Sequence, residues 1–184
     1  MKASSVFIPG IIVLDPHVFV DERGFFFESY NKKALSAHGI ENEFVQDNHS
    51  LSYRGTLRGI HYQVRNPQAK LIRVVSGEIF DVAVDLRRSS PTFGRWFGLN
   101  LSASNKLQIY IPHGFGHGFQ ALSDRVEVLY KASDFYAPQH ERCIRWDDPD
   151  LAIDWPLKAE RIVSEKDGKG SSLREAELPE EECS

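Results

Sequence analysis

The stretch Glu78-Ile79-Phe80-Asp81-Val82-Ala83-Val84-Asp85-Leu86 decides the class of fold. Phe80, Val82, Val84 and Leu86 recur at every second position with Asp81 and Asp85 between them, so an extended strand is apolar on one face and carries carboxylates on the other. A helix would scatter the same residues around its circumference. Gly77 marks the turn that precedes the strand.

Outward from this strand, runs rich in Val, Ile, Phe and Tyr occur at 11–14, 17–20, 25–30, 44–50, 56–63, 70–76, 96–101, 108–111, 118–122, 126–133 and 143–146. Clusters of Gly, Pro, Asn, Asp or Ser divide them about every ten residues, the rhythm of an all-β sandwich or barrel. That is too many strands for one open flat sheet. Two packed antiparallel sheets, a jelly roll, accommodate them and leave room for a pocket whose chemistry sits on inward-facing strand residues. A helix is expected at 32–38, capped by Asn31 and ended by Gly39, and a short one near 148–153. The chain has no internal repeat. Residues 168–184 are polar and rich in Glu, which suggests a loosely held acidic tail behind a single domain spanning 1–167.

The 184 residues suit one enzyme-sized domain, and with 41% hydrophobic and 26% charged residues the chain is an ordinary globular protein rather than a disordered one. A net charge of −4 without a basic run argues against nucleic acid or an anionic membrane as partner, so an anionic ligand must be held by a few placed cations. The two cysteines, Cys143 and Cys183, share no zinc-site spacing with histidines and form no disulfide framework, which fits a reducing compartment. The apolar run 6–14 is interrupted by Pro9 and Gly10, a poor signal-peptide core and too short to cross a bilayer. A cytoplasmic protein is expected.

Candidate chemistry begins at 57–63, LRGIHYQ, where strict alternation puts His61 and Gln63 on one face with Leu57 and Gly59, and Arg58, Ile60 and Tyr62 on the other. Lys70 opens the next strand, and polar residues interrupt the strand-like run 44–49. In 112–119, PHGFGHGF, three glycines free the backbone to approach a ligand beside His117. Metal-binding jelly rolls use a His-x-His pair, a nearby Glu and a distant His. Here His61 and His117 offer two ligands where a catalytic metal usually takes three, so no metal is expected.

Over residues 3–167 the chain resembles the dTDP-4-dehydrorhamnose 3,5-epimerase family. The matching motifs are DERGFFFE at 21–28, FVQDN at 44–48, LRGIHYQ at 57–63, KLIRV at 70–74, GEIFDV at 77–82, GFGHGF at 114–119, IDWP at 153–156 and SEKD at 164–167. Gly116 stands where the family usually has Ala, and Ala69 where Gly is common. The resemblance implies a cupin-type jelly roll, a homodimer with exchanged N-terminal strands, and action without metal or organic cofactor on dTDP-4-dehydro-6-deoxy-D-glucose.

It also implies roles. His61 resembles the base that removes the substrate protons, Asp167 the carboxylate that orients it, Tyr130 the acid that returns a proton at C5 and Lys70 the cation near the C4 oxygen. Arg23, Glu28, Gln46, Asn48, Arg58, His117, Glu141 and Lys166 match positions that bind the nucleotide sugar, and Phe135-Tyr136 offers a stacking surface for thymine. These types suit the chemistry. Enolate charge needs a fixed donor, imidazole has an ordinary pKa of about 6.5, and Arg forks match diphosphate oxygens. The alternatives are an enzyme that epimerises C3 alone or moves the ketone, a metal-dependent oxygenase of the same fold, and a carbohydrate-binding module.

Overall fold

Alternating strands with two buried faces need cover on both sides, and the computed structural model, which describes residues 1–179, shows how the chain supplies it. In chain order the strands are β1 (Lys2–Ser5), β2 (Ile12–Asp15), β3 (Phe19–Asp21), β4 (Gly24–Phe26), β5 (Gln46–Tyr53), β6 (Thr56–Gln63), β7 (Lys70–Ser76), β8 (Glu78–Asp85), β9 (Trp96–Ser102), β10 (Gln108–Ile111), β11 (Phe115–Ala121), β12 (Arg125–Ala132), β13 (Glu141–Cys143) and β14 (Ile162–Val163). Two short α-helices, α1 (Lys32–Ser36) and α2 (Glu165–Gly168), and one 3₁₀ turn at Pro138–His140 complete the set. One sheet runs β1-β2-β10-β7-β12-β5 and the other β13-β6-β11-β8-β9, with β14 added parallel to β6, while β3 and β4 form a separate hairpin. The architecture is the expected all-β cupin-type jelly roll with few, short helices.

Between the sheets, Ile72 and Val74 of β7 and Val128 of β12 meet Ile79 and Ala83 of β8 and Phe119 of β11. The other face of β8 lies outside this interior: Phe80, Val82, Val84 and Leu86 pack with Ile144, Leu151 and Trp155 from the C-terminal segments. Asp81 and Asp85 therefore share the inward side with Ile79 and Ala83, and both are fully buried. Asp85 is satisfied there by Arg87, Ser90 and Thr92. A third cluster, with Leu14, Leu35, Ile40, Leu71 and Tyr110, seats α1 on the first sheet.

Helix α1 starts as expected, the Asn31 side chain accepting from Ala34 N at 3.2 Å, and Gly39 beyond it has φ +78. No helix forms at 148–153. Asp148 Oδ1 instead accepts from the backbone N–H groups of Asp150 and Leu151, both at 3.0 Å, and this local turn competes with helical pairing. The tail is not loose where it is described. Ser171 bridges to Ile144, Leu173, Ala176 and Leu178 join the outer cluster, and Tyr62 donates to Glu177 O at 2.8 Å, so packing runs past Asp167. Its few apolar residues are spaced to reach that cluster, which composition alone hides. Cys183 and the end of the tail lie outside the described residues. No helix among the described residues is long and apolar enough to cross a membrane.

Candidate active site

Strict alternation along β6 would send Arg58 away from His61, but the structure puts both on the wall of one cleft. The cause is a bulge: β11 pairs His117 with His61 but Phe119 with Arg58 and Gln120 with Leu57. Gly59 makes it sterically feasible. Its φ is +105, and a Cβ there would stand 2.5 Å from the His117 carbonyl oxygen and 2.7 Å from Gly118 Cα. Leu57, Ile60 and Tyr62 consequently share the outer cluster, while Arg58, His61 and Gln63 line the cleft, which Tyr62 also borders. Gly116 is explained by the same region, since an added Cβ would collide with the Ile60 side chain.

In the sheet His61 lies between Cys143 of β13 and His117 of β11. Ser164 caps α2, its Oγ accepting from Asp167 N at 3.1 Å, and the helix thereby presents Asp167 to β6. His61 Nε2 and Asp167 Oδ1 share a hydrogen bond of 2.6 Å. Burial would raise the Asp167 carboxyl, but hydrogen bonds from His61, Ser164 and the Gly59 backbone, with the His61 charge, hold it below the usual carboxylate range. The carboxylate is thus ionised where it meets the imidazole. A second such pair stands beside it: His117 Nε2 lies 2.8 Å from Asp81 Oδ2, with Asp81 Oδ1 buried and without a hydrogen-bond partner.

The facing wall comes from the first sheet. Lys70 opens β7, and Tyr130 on the adjacent β12 is paired with Ile72, two residues along. Burial pushes the Lys70 ammonium down to about 8, against the raising effect of the Asp81 and Glu141 carboxylates. Burial raises the Tyr130 phenol, with Arg58 lowering it and Glu141 raising it, so the hydroxyl keeps its proton at neutral pH. Arg58, His61, Lys70, His117, Tyr130 and Glu141 line the same cleft of about 230 Å³. At its rim Glu141 Oε2 accepts from Tyr136 Oη and from Lys166 Nζ, both at 2.5 Å.

The remaining sequence candidates lie farther out. Gln46 donates to Asn48 Oδ1 at 3.0 Å and accepts from Tyr136 N at 2.9 Å, which ties it to the rim. Asn48 lines a neighbouring hollow with His49, Arg73 and Lys131. Arg23 sits in the β3–β4 hairpin, its side chain 83% exposed and paired with Asp21 at 2.5 Å, and Glu28 is also exposed; neither lines the cleft of its own chain. Of the Phe135-Tyr136 pair, only Tyr136 lines it. Sequence reasoning assigned no role at the site to Asp81 or Cys143, although the carboxylate face of 78–86 was visible.

A jelly roll with an imidazole–carboxylate pair on one wall of a cleft and an amine and a phenol on the other is the site of a cupin-type enzyme that moves protons on a small polar substrate. Residues 5–175 match the family model described as dTDP-4-dehydrorhamnose 3,5-epimerase. A protein of that description from Pseudomonas aeruginosa is 58% identical over 178 residues, covering 96% of this chain and 98% of its own. A crystal structure of a dTDP-6-deoxy-D-glucose-3,5-epimerase from Legionella pneumophila, in complex with dTDP-4-keto-L-rhamnose, is 45% identical with a TM-score of 0.96, covering 99% of both chains. ChmJ, a 3'-monoepimerase from Streptomyces bikiniensis in complex with dTDP-quinovose, is 35% identical with a TM-score of 0.88 over 95% of this chain and 91% of its own. The chain belongs to the dTDP-4-dehydrorhamnose 3,5-epimerase family and is an isomerase.

Proposed function

We propose that the protein converts dTDP-4-dehydro-6-deoxy-D-glucose to dTDP-4-dehydro-L-rhamnose, in dTDP-L-rhamnose biosynthesis, by removing and returning protons at C3 and C5 beside the C4 ketone. The observation that carries this reading is the convergence of His61–Asp167 and of Lys70 and Tyr130 on opposite walls of one cleft. His61 takes the proton. Asp167 fixes the ring and stabilises the imidazolium that forms. Lys70 meets the enolate charge growing on the C4 oxygen, and Tyr130 returns a proton to C5 from the opposite face, which inverts the centre. A proton leaves and a proton returns, so the reaction is balanced without electrons or a redox cofactor.

Arg58, with Arg23, supplies guanidinium forks for the diphosphate, and His117, Glu28, Gln46, Asn48, Glu141 and Lys166 hold the rest of the nucleotide sugar. Arg23 and Glu28 reach a cleft in a second copy of the chain. Support comes from the β3–β4 hairpin, where Phe19, Val20, Phe25 and Phe26 are each more than half exposed, an apolar surface that association would bury. The functional unit is therefore a homodimer exchanging this N-terminal hairpin. A nucleotide-sugar substrate supports a cytoplasmic location.

Incubation of the purified protein with dTDP-4-dehydro-6-deoxy-D-glucose, with the sugar configuration followed by NMR, tests the assignment. The L-rhamno configuration, inverted at C3 and C5, is expected. Inversion at C3 alone would make the protein a monoepimerase like ChmJ, and an unchanged sugar would make it a binding module.

A further inference from the structure

The catalytic reading leaves the thiol beside His61 without work. Cys143 sits directly across the ladder from His61, on the side opposite His117. A His61 ring nitrogen, the Cys143 sulfur and an Asp167 carboxylate oxygen all lie within 4.8 Å of one another. We propose that these three side chains form a binding site for a borderline or soft divalent cation such as Zn²⁺ or Cd²⁺, and that occupation of this site switches the enzyme off.

The donor chemistry selects the ion. Imidazole nitrogen, thiolate sulfur and one carboxylate oxygen suit zinc or cadmium, whereas magnesium and calcium take oxygen shells. A tetrahedral zinc centre with bonds of about 2.0–2.3 Å spans donors roughly 3.3–3.8 Å apart, so the wider separations, up to 4.8 Å, close and the 2.6 Å His61–Asp167 pair opens, each by about 1 Å of side-chain adjustment. The donors stand on regular elements, β6, β13 and α2, which keeps them together without a loop movement. His61 keeps 27% of its side-chain surface open, enough for an ion to enter from the cleft and retain a water as fourth ligand. On binding, the thiol proton passes to solvent, the single proton of neutral His61 stays on the ring nitrogen that does not ligate, and three metal–ligand bonds form. His61 then has no free pair for the substrate proton.

The inhibitory part rests on the assignment of His61 as base, whereas the binding part does not. The test is a Cd²⁺ titration of the intact protein, reading thiolate-to-metal charge-transfer absorbance in parallel with turnover. The band should grow to saturation as turnover is lost, and turnover should return on adding a chelator. Cys183→Ser controls for the other thiol and should leave both curves unchanged. Cys143→Ser should remove the band, turn over substrate in metal-free buffer, and need a Cd²⁺ concentration higher by about tenfold or more for the same inhibition. Absence of the band in the intact protein, or its persistence in Cys143→Ser, overturns the site. A saturated band with undiminished turnover overturns the switch, while a failed assignment of His61 appears separately as an active His61→Ala variant.

Discussion

Lys70 is an ammonium held in a cleft that resists it. Its position at the head of a strand was visible in the sequence, but its burial was not, because a lysine that opens a strand reads equally well as a solvated end. Moving its pKa from 10.5 down to about 8 corresponds to about 3 kcal/mol of disfavoured charge in the folded state. Two outcomes follow from the sign. Lys70→Met should unfold at a higher temperature than the parent while losing on the order of a hundredfold or more in kcat, and a variant that is both less stable and fully active would contradict the role. In the free enzyme the cation is present below about pH 8 and lost above it, so kcat/KM should decline as pH rises through that region. Lys70→Arg, which stays charged, should lack this alkaline limb. His61 was a candidate from strand alternation, and its role, like Tyr130 and Asp167 altogether, came only through the motif resemblance. Asp81 was legible as one of the carboxylates on its strand, yet its partnership with His117 needed the register of β8 on β11.

At the scale of elements, periodicity recovered most strands and the start of α1, and it failed where side chains or pairing override it. β1 is polar and β14 only two residues long, so neither carries a strand pattern. The bulge in β6 lies beyond any alternation rule: a single glycine shifts the phase and turns Arg58 toward the cleft. Gly59→Ala should accordingly destabilise the protein by about 3 kcal/mol or more and reduce kcat through misplacement of His61, measured by thermal unfolding and steady-state kinetics. Unchanged stability would remove the bulge as the cause. The C-terminal segment is the other surprise. A chain ending at Lys169 loses Leu173, Ala176 and Leu178 from the outer cluster, and its melting temperature should fall by roughly 10 °C. An unaltered transition would mean that the segment contributes nothing there.

For the whole molecule, composition set the question that the structure then framed: a protein of charge −4 must gather a few cations for a diphosphate. Arg58 lines the cleft of its own chain, and Arg23 stands on an apolar hairpin outside it. The jelly roll was legible because strand count and turn spacing constrain topology; periodicity within one chain says nothing about contacts with another, so the proposed dimer entered only through the motif resemblance. Mixing inactive Arg23→Ala and His61→Ala proteins under conditions that exchange subunits should restore activity. Each mixed dimer then holds one cleft with neither defect. No recovery would mean that Arg23 does not complete the cleft of a second copy.

The central claim is that one imidazole, steadied by Asp167, removes the protons on both sides of the ketone. Incubation with dTDP-4-dehydro-6-deoxy-D-glucose in D₂O, followed by NMR, tests it directly. The parent should place deuterium at both C3 and C5, and His61→Ala should place it at neither. Deuterium at both carbons from the His61→Ala protein would contradict the account.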